Sequence, residues 1–220
     1  IPHDQTHISE YMSQNAYTTS FITSTYHQFK PNMNFHLGFH QWYLIRGHEY
    51  DKYRAQMRGK RSEISQKIKK YVVIKTNKNR AAVQTQKLLL KKYFANIQDR
   101  KTEEDWFPAR TFKKAIESIE DTMKLRNVFC LIDEFDPHEP WNPPKKYLDL
   151  YLDKNYTGNK IIQPIYGENL DYLSEDELKC MKACYAGEVS LCDNWFGFFI
   201  NKLKEMNIYE DSLIIFISDH

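Results

Sequence analysis

Four cysteines in 220 residues are too few for a disulfide scaffold. Cys180 and Cys184 stand four apart and could share a metal. No second Cys or His pair is spaced to complete a zinc site, so all four cysteines read as small buried hydrophobes. No apolar run approaches the ~20 residues that a bilayer-spanning helix needs. Mean hydropathy is −0.69, and a membrane-spanning protein is excluded. Internal repeats and low-complexity segments are absent. Net charge is only +2, but the balance hides an asymmetry. From Lys52 to Lys101 there are 16 basic and 2 acidic residues, a net of +14, which leaves −12 for the remainder.

What is present is ordinary globular composition, 41% hydrophobic and 27% charged, in a chain long enough to bury a core. Aromatics reach 15%, so core and cleft should be aromatic-rich. One domain over residues 1–220 is expected, carrying a basic, largely helical insertion over about 52–101. A nucleic-acid role for the basic stretch has no accompanying motif and is set aside. A solvated insertion is the first reading, and attraction of a polyanion is the second. The chain opens on Ile1 rather than Met, with no signal-like segment after it. It closes just past an apolar segment, and is expected to be a piece of a longer protein.

Residues Thr6 to Gln14 read as a short helix closed by a left-handed Asn15. Tyr17 to Ser24, β-branched and aromatic, reads as a strand. Lys30 to Asp51 reads as irregular but packed. Ala81 to Gln98 and the run Phe112, Ala115, Ile116, Ile119, Met123 have helical spacing. Val128 to Phe135 and Leu213 to Ser218 read as strands buried on both faces of a parallel sheet. Ser174 with Glu177 forms a capping box before a long helix that Asn207 ends. The alternation predicts an α/β fold with a mainly parallel sheet flanked by helices.

In such sheets ligands bind beyond the carboxyl ends of the strands. Three predicted strands deliver a histidine there: His27, His138 in Asp136-Pro-His-Glu-Pro140, and His220 after Asp219. Together they point to metal-assisted or acid–base chemistry. Asp219 and His220 offer a hard oxygen and an imidazole, half of a divalent metal site. His138, in a proline-stiffened loop, could protonate a leaving group or bind an anionic oxygen.

These residues carry a resemblance. DQTHISEYMSQNAYTTSFITSTYHQFKP, NMNFHLGFHQWYLIRGHEYD, FDPHEPWNPPKKYLDLY and YAGEVSLCDNWFGFFINKLKEMNIYEDSLIIFISDH are similar, in order and spacing, to successive segments of the sulfatase family of the alkaline-phosphatase superfamily. The resemblance implies an alkaline-phosphatase-like fold and hydrolysis of a small-molecule or glycan sulfate ester. It implies Asp219 and His220 as metal ligands, His138 and His27 as catalytic and substrate-binding, and Arg46 as substrate-binding. Calcium is the usual family metal, and the imidazole of His220 keeps manganese and zinc open. The family nucleophile, often formylglycine made from Cys or Ser, lies in Cys/Ser-x-Pro-Ser-Arg. That motif does not occur here, so the nucleophile is expected upstream and the isolated chain is expected to be inactive. Thr25 stands where the family has Lys, Ala16 where it has Gly, and His40 where Asp is common. A phosphate or phosphonate monoesterase of the same superfamily, and a non-catalytic binding protein that kept the fold, stay open as alternatives. Oligomeric state is open as well.

Overall fold

A computed structural model describes residues 5–48, 50–54, 61–71, 80–124, 127–166 and 170–218. Asp219 and His220 lie outside the described residues, as do 72–74 of the basic stretch. The elements run α1 (Ile8–Gln14), β1 (Tyr17–Thr23), β2 (Gln41–Leu44), α2 (Arg61–Ile68), α3 (Arg80–Asn96), α4 (Phe107–Thr122), β3 (Asn127–Asp133), α5 (Lys145–Leu148) and α6 (Glu175–Glu205). The described strands form one parallel sheet in the order β2-β1-β3, flanked by helices. No helix of the described residues is long and apolar enough to cross a membrane.

The expected α/β architecture stands, with four local corrections. Asn15, at φ −101°, is not the left-handed residue. Ala16 is, at φ 65°, and the Ala-for-Gly replacement therefore falls on the position where glycine is favoured. Second, the segment expected to be irregular contains β2, four residues long and paired with β1 from Ser20↔Gln41 to Thr23↔Leu44. Third, β3 is not buried on both faces. Among the described strands it lies at the edge, and Leu131 is 39% exposed.

The fourth correction is the largest. Leu213 to Ser218 is neither a strand nor buried, and Leu213, Ile215, Phe216 and Ile217 are all more than 70% exposed. A strand is defined by a partner, and no described strand runs beside this one. The buried central strand is instead the Thr/Ser-rich β1, where Thr19 through Thr23 are all nearly inaccessible, as are Ser24 and Thr25 just after it.

The helices follow the sequence signals closely. The capping box of α6 is formed: Glu177 N–H donates to Ser174 Oγ at 3.3 Å, and Ser174 N–H donates to Glu177 Oε2 at 2.8 Å. Asn207, at φ 57°, follows the end of the helix as a left-handed residue. The amphipathic α4 contacts β1, β3 and α6, burying Phe112, Ala115, Ile116 and Ile119. Within the basic stretch, α3 buries Val83, Leu90, Tyr93 and Phe94 in the same core. All four cysteines are free; Cys180 and Cys184 are fully buried, as small core residues should be, whereas Cys130 and Cys192 are only half-buried.

Candidate functional site

The parallel register levels the three strands at their carboxyl ends, because Leu44, Thr23 and Asp133 form one row across the sheet. The next residues of each strand therefore leave from the same edge: Arg46 and His48 from β2, Thr25 to His27 from β1, and Glu134 to His138 from β3.

The ends of β1 and β3 are bound by a hub at Asp133. Its Oδ2 accepts from Thr23 Oγ1 at 2.6 Å, Thr25 Oγ1 at 2.6 Å and Gln28 Nε2 at 2.9 Å. Thr25 is thus turned inward as a structural donor, 4% exposed. Ser24 continues the lacing, donating its hydroxyl to Glu134 Oε1 at 3.0 Å while accepting the Phe135 N–H at 2.8 Å.

His138 tops this edge with its side chain 42% exposed. Its Nδ1 lies 3.1 Å from the Glu139 carbonyl oxygen and 3.3 Å from the Glu139 carboxylate. Both are acceptors, so Nδ1 carries a proton. The imidazole is stacked on Phe135, centroids 4.2 Å apart. It borders a shallow depression lined also by Tyr50, Tyr93, Phe135 and Glu139. His27 lies in a short 3₁₀ turn, Tyr26–Phe29, just past β1.

Arg46 is committed at this edge. Its Nε and Nη2 donate to the two carboxylate oxygens of fully buried Asp51 at 2.6 and 2.7 Å. Its guanidinium lies over the Tyr26 and Tyr53 rings. Gly47, at φ 122°, lets the chain turn here, and a Cβ would stand 3.2 Å from Phe107 Cε1. His40, by contrast, lies by the start of β1, where Nδ1 accepts from Thr19 N–H at 3.1 Å.

Beneath the His138 loop is a cluster the sequence reading missed. His48 Nε2 is 2.5 Å from Asp136 Oδ1, and both residues are buried. Glu134 completes a group whose ligating atoms all lie within 4.8 Å, the only such group of three among the described residues. Burial, and then the Asp136 charge, raise the Glu134 carboxyl to about 8. Burial and Asp136 also hold the nearby Glu188 carboxyl well above the usual range. One imidazole and two carboxylates suit manganese or zinc in chemistry. In this arrangement His48 and Asp136 meet at hydrogen-bond separation, and the three side chains form a candidate metal-binding group. The strand-end filter would have found His48 had β2 been read as a strand.

The chain belongs to the sulfatase family, which matches it over residues 1–220. An arylsulfatase of Clostridium perfringens (strain 13 / Type A) is 30% identical over 95 residues, 38% of this chain and 20% of that protein. A choline-sulfatase of Rhizobium meliloti (strain 1021) is 26% identical over 119 residues, 47% of this chain and 23% of that protein. The matched part of the chain thus covers about a fifth of either relative's length.

Proposed function

We infer that the protein carrying this chain is a sulfuric ester hydrolase, with His138 and His27 acting on the sulfate ester at the carboxyl edge of the sheet. One observation carries the reading. In a chain of the sulfatase family, two solvent-accessible histidines follow adjacent parallel strands that end at the same level.

With Nδ1 held by Glu139, Nε2 is the nitrogen of His138 that faces chemistry. Protonated, it donates to the ester's bridging oxygen as the S–O bond breaks, so that an alcohol rather than an alkoxide departs. His27 donates to a non-bridging oxygen. Arg46, whose Nε and Nη2 are held by Asp51, would meet the sulfate only through Nη1. The Tyr50 and Phe135 rings stand beside His138, and an aryl ester is the substrate class in one relative's name. Asp219 and His220 would hold a divalent metal, calcium by family habit or manganese or zinc by donor chemistry, which when bound neutralises charge on the non-bridging oxygens. The attacking nucleophile is to be sought outside these 220 residues, which contain no Cys/Ser-x-Pro-Ser-Arg.

The test is turnover by the whole protein, loaded in turn with calcium and manganese. An aryl sulfate should be hydrolysed in preference to the matching aryl phosphate. The reverse preference would make it a phosphate monoesterase, and turnover of neither would favour a binding role.

A further inference from the structure

We propose that His48 is a positioning residue for His138, orienting the Phe135–His138 loop from beneath through Asp136 and Phe135. The proposal rests on the reading of His138 given above. His48 is 1% exposed and reaches the loop by two routes. The first is its hydrogen bond to Asp136, two residues before His138. The second is a row of rings. Phe107, the first residue of α4, packs on His48 at 4.3 Å between centroids. His48 meets Phe135 edge-on at 4.8 Å, and Phe135 stacks on His138 at 4.2 Å. The row runs from the core helix to the exposed imidazole.

His48 is itself well anchored. Asn96 Nδ2 donates to the Gly47 carbonyl at 2.9 Å, and Gly47 N–H donates to Asp51 at 3.0 Å. On the loop side, Glu134 Oε1 accepts the Asp136 N–H at 3.2 Å and the Phe135 carbonyl accepts the His138 N–H at 3.0 Å. Between two phenylalanines, an apolar ring would pack this slot without the cost of burying an imidazole and a carboxylate. What the imidazole adds is a polar anchor of fixed direction across β1, from the end of β2 to the loop after β3. A loop held this way keeps His138 Nε2 in one place. Misplacement by about 1 Å costs on the order of a hundredfold in rate.

The experiment uses the whole protein. His48→Phe keeps the ring and removes the bond to Asp136. His48→Gln keeps a donor nitrogen at similar reach. Under the proposal, His48→Phe lowers kcat by about 10- to 100-fold with KM within about threefold, and His48→Gln recovers most of that loss. ¹³C-histidine NMR, with His138 assigned from a His138→Ala variant, supplies a readout independent of turnover. The His138 ring signal should move in His48→Phe while the remaining spectrum stays dispersed, and return towards its wild-type position in His48→Gln. If His48→Phe does not fold, the His138 signal in His48→Gln decides: near wild type supports the proposal, and displaced overturns it. An unmoved His138 signal with kcat within twofold of wild type in His48→Phe also overturns it. If the wild-type protein hydrolyses no sulfate ester, the functional reading fails, and the NMR comparison still decides whether His48 positions His138.

Discussion

The carboxyl ends of β1 and β3 and the segment Leu213 to Ser218 invert what their compositions suggest. The first is built largely from Thr, Ser, Asp, Glu and Gln, and is buried in β1 and half-buried in β3. The second is the most apolar stretch of the chain and is exposed. The difference lies in partners. Asp133 gathers three donors on one oxygen, so its neighbours lose little by leaving water. Leu213 to Ile217 has strong strand preference and no described strand beside it, and apolar character alone does not bury a backbone that needs a ladder.

A paired substitution breaks or sharpens this contrast. Asp133→Ala strands two hydroxyls and an amide, and should cost about 3 kcal/mol in denaturant unfolding. Ile215→Ser, on a residue 72% exposed, should cost under about 0.5 kcal/mol within this chain. A larger cost at Ile215 would mean that the segment docks, and a smaller one at Asp133 that the hub is dispensable.

An effect of comparable size comes from the proton under the loop. Glu134 keeps its proton up to about 8 in the fold, against 4.5 ordinarily. Between those values the folded state binds the proton better, so this contribution is complete at low pH and is lost as pH rises through about 8. The slope is at most about 1.4 kcal/mol per pH unit for each such proton. Thermal unfolding should therefore weaken from pH 5 to 8, and Glu134→Gln should flatten the trend. An unchanged slope in that variant would assign the proton elsewhere, with Glu188 as the first alternative.

Long-period patterns were legible in the sequence. The spacing of α4, the capping box of α6 and the left-handed Asn207 could be read because each depends on residues within a few positions. The Val128 to Phe135 run was read correctly as a parallel strand but wrongly as fully buried, since edge or centre is a property of the sheet. β2 escaped because Gln-Trp-Tyr-Leu is too short to show a period and becomes a strand only through β1. His48 escaped with it. Of the candidate site, His27, His138 and Arg46 follow strands at one edge, while Asp219 and His220 lie outside the described residues. The Asp133 hub was invisible as such, because its carboxylate sat at the end of an apolar run and its donors lie more than 100 positions away.

The account turns on His138 as the acid that protonates the leaving oxygen, and leaving-group dependence tests that role most directly. Turnover should be measured for His138→Gln and wild type, in the whole protein, on a sulfate ester of an acidic phenol and on one of a simple alcohol. A departing phenolate needs little help from a proton, whereas an alkoxide needs a great deal. The account predicts a loss of about 10²- to 10⁴-fold on the alkyl ester and a far smaller loss on the aryl ester. Equal losses on both, or none on either, would contradict it.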